Sequence, residues 1–156
     1  MPSLLAIDLG LRTGFALYGD DGRLRWYRSQ HFGSAARLKR GVRPFLDTIG
    51  DLAWVVLEGG GDLATVWLRD IERRGIGIQQ ISAEAWRTQL LYEREQRSGV
   101  KAKQHADDLA RRVIVWSGAA RPTSLRHDAA EAILIGLWGV LAVGWLERMP
   151  AEVRRQ

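Results

Sequence analysis

Four acidic side chains in this sequence stand where carboxylates could bind metal ions. Asp8 follows a short apolar run and is itself followed by a turn that contains Gly10. A carboxylate at the end of a buried strand is costly to desolvate unless something pairs with it, and a divalent cation often does. Glu58 ends a second apolar run, and Asp128 opens a long apolar stretch with Glu131 three residues later.

If the four acids converge, their charges conflict, because neighbouring carboxylates repel and raise one another's pKa values. Two hard cations such as Mg²⁺ or Mn²⁺, about 3.5–4 Å apart, would resolve the conflict with oxygen ligands. One ion would activate a water for attack on a phosphodiester, and the other would steady the leaving oxygen. This chemistry requires neither histidine nor cysteine.

Each acid also has a simpler interpretation. Asp8 could hydrogen-bond a turn, and Glu58, beside three glycines, could be a solvated strand end. Asp128 and Glu131 have the spacing of a helix capping box. His127 could hold a water or a phosphate, or could simply face solvent. The metal hypothesis therefore depends on all four acids meeting in one fold.

The pattern of apolar residues predicts the elements that would bring the acids together. Strands are expected at Leu4–Asp8, Gly14–Tyr18, Leu24–Arg28, Trp54–Glu58 and Ile76–Ile81, the first three as an antiparallel meander. Helices are expected at Ala35–Ile49, after an Asp62 cap, after a Ser82 cap, from about Lys103 to Trp116, and from Asp128 onward; Tyr92–Val100 is predicted as a loop.

This order of elements predicts one α/β domain over residues 1–156, with a mixed sheet and helices on its faces. The first and fourth strands should lie side by side in parallel, so Asp8 and Glu58 would meet at neighbouring carboxyl ends, where open α/β sheets collect ligands. Asp128 and Glu131 share one face of the last helix.

Composition excludes several classes of protein. The chain has 156 residues, of which 46% are hydrophobic and 26% charged, as expected for a folded domain. It contains no cysteine, so disulfides and thiolate chemistry are impossible. We expect no export signal, because the N-terminus lacks a basic segment followed by an apolar core, so the cytoplasm is the default location. We also expect no membrane span, because the apolar stretch Ala132–Leu146 is shorter than the roughly 20 residues that a bilayer needs and is entered through acidic residues.

The net charge of +5 is unevenly distributed. Between Arg23 and Arg43 there are seven basic residues and no acidic one, and eight more basic residues lie between Arg94 and Arg126. An acidic centre between basic stretches suits a polyanion bound by its backbone, which favours a nucleic acid as partner. The same counts would arise if the chain were simply rich in arginine and these side chains only kept the helix faces solvated.

The motifs together resemble the RuvC-type Holliday-junction resolvases of the ribonuclease H-like superfamily. The resemblance rests on Ile7-Asp8-Leu9-Gly10 through Gly14, the strand that ends at Glu58, the helix with Lys101 and Lys103, and His127-Asp128-Ala129-Ala130-Glu131-Ala132. It implies a five-stranded mixed sheet with helices on both faces, and a homodimeric nuclease that nicks four-way DNA junctions in pairs.

The same resemblance assigns residues by position. Asp8, Glu58, Asp128 and Glu131 match the family's ligands for two Mg²⁺ or Mn²⁺ ions, and Lys103 matches a lysine near the scissile phosphate. The closing apolar segment is expected to contribute to a dimer face as well as to the core, through Leu134, Leu137, Trp138, Leu141 and Trp145. With the charge pattern, the resemblance predicts DNA contacts from nine basic residues: Arg12, Arg25, Arg28, Arg37, Lys39, Arg40, Lys101, Lys103 and Arg111.

The sequence departs from this family at two places. Gly59-Gly60-Gly61 follows Glu58, where bacterial resolvases carry a polar and aromatic loop, and Glu131 replaces the commoner aspartate. Three alternatives stay open: a YqgF-type RNA-processing nuclease, a sugar-kinase or chaperone-like ATPase, and a noncatalytic nucleic-acid-binding module. Glu58 argues against the first, and the length of the chain against the second.

Overall fold

A computed structural model describes residues 1–91 and 99–154. Within these ranges the chain forms five strands: β1 Ser3–Asp8, β2 Arg12–Gly19, β3 Leu24–His31, β4 Leu52–Glu58 and β5 Gly77–Ile81. It also forms five helices: α1 Ala35–Asp47, α2 Gly61–Arg73, α3 Ala83–Leu90, α4 Gly99–Ser117 and α5 His127–Ala142. The side chains of residues 99–101 lie outside the description.

The strands form one mixed sheet in the order β3-β2-β1-β4-β5. The first three strands are an antiparallel meander, and β4 pairs in parallel with both β1 and β5. Gly22, with φ of 78°, makes the turn into β3, a backbone conformation that favours glycine. The predicted mixed sheet is confirmed, including the parallel contact between the first and fourth strands.

Helices cover both faces of the sheet because side chains alternate along each strand. Ile7 belongs to an apolar cluster with residues of α1 and α2, whereas Leu4 and Ala6 belong to a cluster with residues of α3, α4 and α5. On the first face Phe15 stacks on Phe45 with ring centroids 4.2 Å apart. The predicted α/β fold with helices on both faces is therefore confirmed.

Small residues allow α5 to lie directly on the sheet. A Cβ at Gly136 would lie 2.2 Å from the Tyr18 ring, and one at Gly139 would lie 2.7 Å from Val56. At the amino end of the helix, a Cβ at Gly14 of β2 would lie 2.0 Å from the carbonyl oxygen of Asp128. The three glycines thus fix how closely the helix approaches the strands along its whole length.

Several predicted boundaries are wrong by a few residues. β2 begins at Arg12 and β3 continues to His31, so both are longer than the apolar runs that indicated them. Gly60, not Asp62, is the N-cap of α2. α1 ends at Asp47, two residues before the predicted end at Ile49. The loop predicted at Tyr92–Val100 overlaps the start of α4 at Gly99, and its residues 92–98 lie outside the described part of the chain.

The closing helix, α5, is a core element of the fold. Leu134 and Leu137 are fully buried against the sheet and the neighbouring helices, while Trp138 is only partly buried. Within residues 1–91 and 99–154, no helix combines the length and the apolar character required to cross a bilayer.

We expect Gly14→Ala to destabilise the protein by about 1–3 kcal/mol, because the added methyl group forces β2 and the start of α5 apart. Gly50→Ala is the matched control, since a Cβ there meets no atom within 4 Å; its free energy of unfolding should stay within about 0.5 kcal/mol of wild type. Urea unfolding of the three proteins measures both values, and equal stabilities would contradict this account of the helix contact.

Candidate metal centre

Asp8 and Glu58 are direct neighbours at the carboxyl ends of two parallel strands. Asp8 ends β1 and Glu58 ends β4, and the two residues are partners in the sheet register. Both lie on the face that α5 covers, because Leu4 and Ala6, four and two residues before Asp8, pack on that side. The pairing that was predicted from element order is thus present in the structure.

Helix α5 adds a third carboxylate to this pair. Glu131 is one turn into the helix and is only 7% exposed, and Glu58 is 8% exposed. One carboxylate oxygen from each of Asp8, Glu58 and Glu131 lies within 4.8 Å of the other two. Three oxygen donors at this spacing could hold a metal ion, and hard cations such as Mg²⁺ and Mn²⁺ prefer such donors.

Asp128 lies beside this group and has its own hydrogen-bond donors. The Ser29 hydroxyl donates to Asp128 Oδ2 at 2.8 Å, and the backbone N–H of Ala129 donates to Oδ1 at 2.9 Å. Asp128 is not part of the set within 4.8 Å, although its charge still acts on Asp8. Of the four predicted acids, three therefore meet, and the fourth is close enough to interact through its charge.

Asp128 and Glu131 do not form a capping box. The N-cap of α5 is Arg126, so Asp128 is already inside the first turn. Glu131 is directed towards other partners: His127 Nε2 and Arg87 Nη2 each lie 3.0 Å from its Oε1. The capping-box interpretation of Asp128 and Glu131 is therefore wrong.

Two residues of α3 contact the centre and were missed by the sequence analysis. The Trp86 indole N–H donates to Glu58 Oε1 at 3.1 Å, and Arg87 donates to Glu131 Oε1. Two consecutive side chains therefore engage the two glutamates. The available signal was topological: Ile81, at the end of β5, is the register partner of Glu58, so a helix that follows it starts at the same edge of the sheet.

The electrostatics of the centre are those of a site short of positive charge. Burial raises the pKa of Asp8 from 3.8 to about 9, assisted by the charge of Glu131, by the hydrogen bond and charge of Glu58, and by the charge of Asp128. Without a cation, Asp8 therefore keeps its proton at neutral pH. A bound divalent ion would favour the ionised form, so the donor set fits a cation.

The predicted lysines, Lys101 and Lys103, both belong to α4. Lys103 is exposed and lines one open pocket with His127 and Leu125. That pocket borders the centre, because His127 also contacts Glu131. The side chain of Lys101 lies outside the described residues. Arg111 is two turns further along α4 and forms an ion pair with Asp107 at 2.8 Å.

The predicted arginines are more scattered. Arg12 starts β2 next to the β1 carboxyl end, and Arg37 is in the first turn of α1, which follows β3. Arg25 pairs with Asp21 at the opposite end of the sheet, and Arg28 lies over the Trp26 ring. Two further exposed residues belong to α1: Lys39, in a groove between α1 and α2, and Arg40.

Comparisons with known proteins support the fold. No family model matches the chain, and no curated protein matches it in sequence. Among solved structures, Thermus thermophilus RuvC in complex with a Holliday-junction substrate is similar, with a TM-score of 0.63 and 16% sequence identity. The match covers 92% of this chain and 96% of that one. The chain therefore has a RuvC-like, ribonuclease H-like fold, as the motifs indicated.

In the absence of divalent cations, Asp8→Asn should stabilise the protein at neutral pH. Folded wild type keeps a proton on Asp8 that the unfolded chain releases above pH 3.8, so its stability falls as the pH rises from 3.8 towards about 9. The slope is at most about 1.4 kcal/mol per pH unit. Asparagine does not titrate, so the difference in unfolding free energy between variant and wild type should widen with pH. Urea unfolding in EDTA from pH 5 to 8.5 measures it, and a constant difference would be inconsistent with this origin.

Arg87→Met should lower the stability of the metal-free protein, because Glu131 loses a charged hydrogen-bond donor. We expect a loss of about 1 kcal/mol, since the arginine is partly exposed and solvent screens the pair. Saturating Mg²⁺ should reduce this loss by supplying positive charge. Arg69→Met, an exposed arginine of α2, is the control and should respond equally with and without Mg²⁺. Melting temperatures of these proteins in EDTA and in Mg²⁺ give the comparison; a loss that Mg²⁺ leaves unchanged speaks against the charge argument.

Proposed function

We propose that this protein is a metal-dependent endonuclease that resolves four-way DNA junctions by paired nicks. The observation that carries the proposal is the convergence of Asp8, Glu58 and Glu131 within 4.8 Å at the carboxyl ends of two parallel strands. The similar structure, RuvC bound to a Holliday-junction substrate, supports branched DNA as the substrate class.

In this proposal Asp8, Glu58, Asp128 and Glu131 hold two Mg²⁺ or Mn²⁺ ions. Such ions, when bound, activate a water and stabilise the charge that develops on the leaving oxygen of a phosphodiester. The protein's own contribution is to keep the carboxylates in place: Trp86 orients Glu58, and Ser29 orients Asp128. Because these partners come from elements already fixed in the fold, the ligands are pre-organised.

Basic side chains at the edge of the centre would bind the DNA backbone. We propose that Lys103 contacts the scissile phosphate from α4 and acts in catalysis by neutralising its charge. Arg12 would contact a neighbouring phosphate from the start of β2. Lys101 and Arg111 would extend this contact along α4, where eight residues from Lys103 to Arg111 span about 12 Å.

The remaining predicted contacts would be made with DNA further from the cleaved bond. Arg25 lies at the opposite end of the sheet, and Arg28, Arg37, Lys39 and Arg40 belong to β3 and α1. A four-way junction has arms that spread over a surface wider than the centre itself, and we propose that these residues contact the arms through their phosphates.

Paired nicks require two centres, so we propose that the working protein is a homodimer that acts in the cytoplasm. Leu134 and Leu137 are fully buried within the protomer, so they cannot also face a partner. On α5 and just beyond it, the partly buried Trp138, Leu141 and Trp145 remain available for one.

A cleavage assay tests the proposed function. With Mg²⁺, wild type should cut a four-way junction at paired positions. Linear duplex, a flap and structured RNA should stay uncut or be cut at least about 1,000-fold more slowly, which is the lower end of the usual ratio of specific to nonspecific affinity. Asp8→Asn should abolish cleavage and retain junction binding, because the change removes a metal ligand while leaving the DNA-binding residues intact. Asp20→Asn, a turn residue outside the centre, should cleave like wild type.

Other outcomes identify the alternatives. Preferential cleavage of structured RNA would indicate an RNA-processing nuclease of the same fold. Tight binding in EDTA without cleavage in either metal would indicate a noncatalytic nucleic-acid-binding module. Cleavage by Asp8→Asn at the wild-type rate would contradict the assignment of the centre itself.

A further inference from the structure

A large apolar side chain is exposed beside the carboxylate centre. Leu11, in the turn between β1 and β2, is 38% exposed. Among the large apolar side chains that the structure describes, only Met1 and Val115 are also exposed; Met1 lies before the start of β1 and Val115 in the last turn of α4. Leu11 is three residues after Asp8 and directly before Arg12, which is also exposed.

The turn that carries Leu11 is held firmly on both sides. The Thr13 hydroxyl donates to the Gly10 carbonyl at 2.7 Å, and Thr13 itself is fully buried. The backbone N–H of Phe32 donates to the Leu11 carbonyl at 2.8 Å. Gly10 is required by the tight backbone, since a Cβ there would lie 2.6 Å from the Arg12 carbonyl oxygen. The exposure of Leu11 is therefore built into the turn.

The neighbouring connection supplies no side chains. A Cβ at Gly59 would lie 3.1 Å from the Leu9 side chain, which shows that the β1–β2 turn lies against the β4–α2 connection. That connection consists of Gly59 and Gly60, and α2 begins with a third glycine, Gly61, so it offers only backbone to a ligand. Of these two adjacent segments, the β1–β2 turn is the one with side chains that can contact a base.

We propose that Leu11 is an apolar wedge that packs against an unstacked base at the branch point of the junction, while Arg12 holds the adjacent phosphate. This inference rests on the proposed function. Apolar side chains that enter a base step offset the loss of stacking by their own contact with the exposed base. Bases at a branch point are already less well stacked than those in a duplex, so a single leucine is sufficient there. The wedge would place the scissile phosphate next to Asp8.

Fluorescence of 2-aminopurine one nucleotide from the branch point tests the wedge. In EDTA, binding of the Asp8→Asn protein should raise the signal as the base unstacks. Adding Leu11→Ala should remove most of the rise while the Kd for the junction changes less than about threefold, because phosphate contacts dominate affinity. In the protein with Asp8 intact, Leu11→Ala should slow cleavage at saturating junction by about tenfold or more.

Two variants make the test specific. Leu11→Met keeps an apolar side chain of similar size and should restore both the fluorescence rise and the cleavage rate. Val115→Ala removes another exposed apolar side chain, on α4, and should behave as wild type. If Leu11→Ala cleaves and unstacks like wild type, the wedge is wrong and the proposed function stands. If wild type itself neither binds nor cleaves a four-way junction, the proposed function fails, and the wedge with it.

Discussion

Repulsion among carboxylates is the constraint on which the rest of this structure depends. Asp8, Glu58 and Glu131 approach within 4.8 Å, and Asp128 adds a further negative charge nearby. The fold tolerates this without a metal ion because Asp8 keeps its proton and because Arg87, His127 and Trp86 contact the two glutamates. The proton and these contacts offset only part of the repulsion, and a divalent cation would replace them by coordinating the carboxylates directly. The arrangement is thus one that could hold a metal ion.

The backbone holds the carboxylates against this repulsion. Two of them are fixed by the hydrogen-bonded register of β1 and β4, which a side-chain interaction of a few kcal/mol cannot shift. The third depends on how closely α5 lies on the sheet, and glycines at 14, 136 and 139 set that distance. At these positions glycine is required because a Cβ would have no room, and not because the backbone needs conformational freedom. A core position far from the centre, such as Gly139, therefore contributes to its geometry.

Element order was sufficient to predict the sheet and the pairing of Asp8 with Glu58, because a meander followed by a crossover leaves few ways to arrange parallel strands. It also predicted Glu131, since a helix turn fixes which residues share a face. It indicated the edge of the sheet at which α3 starts, but not that Trp86 and Arg87 face the centre. Their role depends on how α3 packs in three dimensions, and no local pattern distinguishes them from ordinary surface and core residues. Asp128 stays a predicted ligand, but its hydrogen bond from Ser29, ninety-nine residues away, depends on tertiary packing that no local pattern shows. The basic side chains were the least predictable, because charge counts along a chain do not specify which face of the sheet each residue occupies.

The adjacency of Trp86 and Arg87 has a consequence for how this protein can vary. A single residue, Ser82, connects β5 to α3. The helix therefore cannot keep its position if this connection changes in length. One inserted residue would rotate the following positions by about 100° around the helix axis, carrying both donors away from both glutamates at once. The connection between α1 and β4, which includes the open Gly50, has no such restriction. Natural relatives are therefore expected to differ in length there and to keep the β5–α3 connection constant.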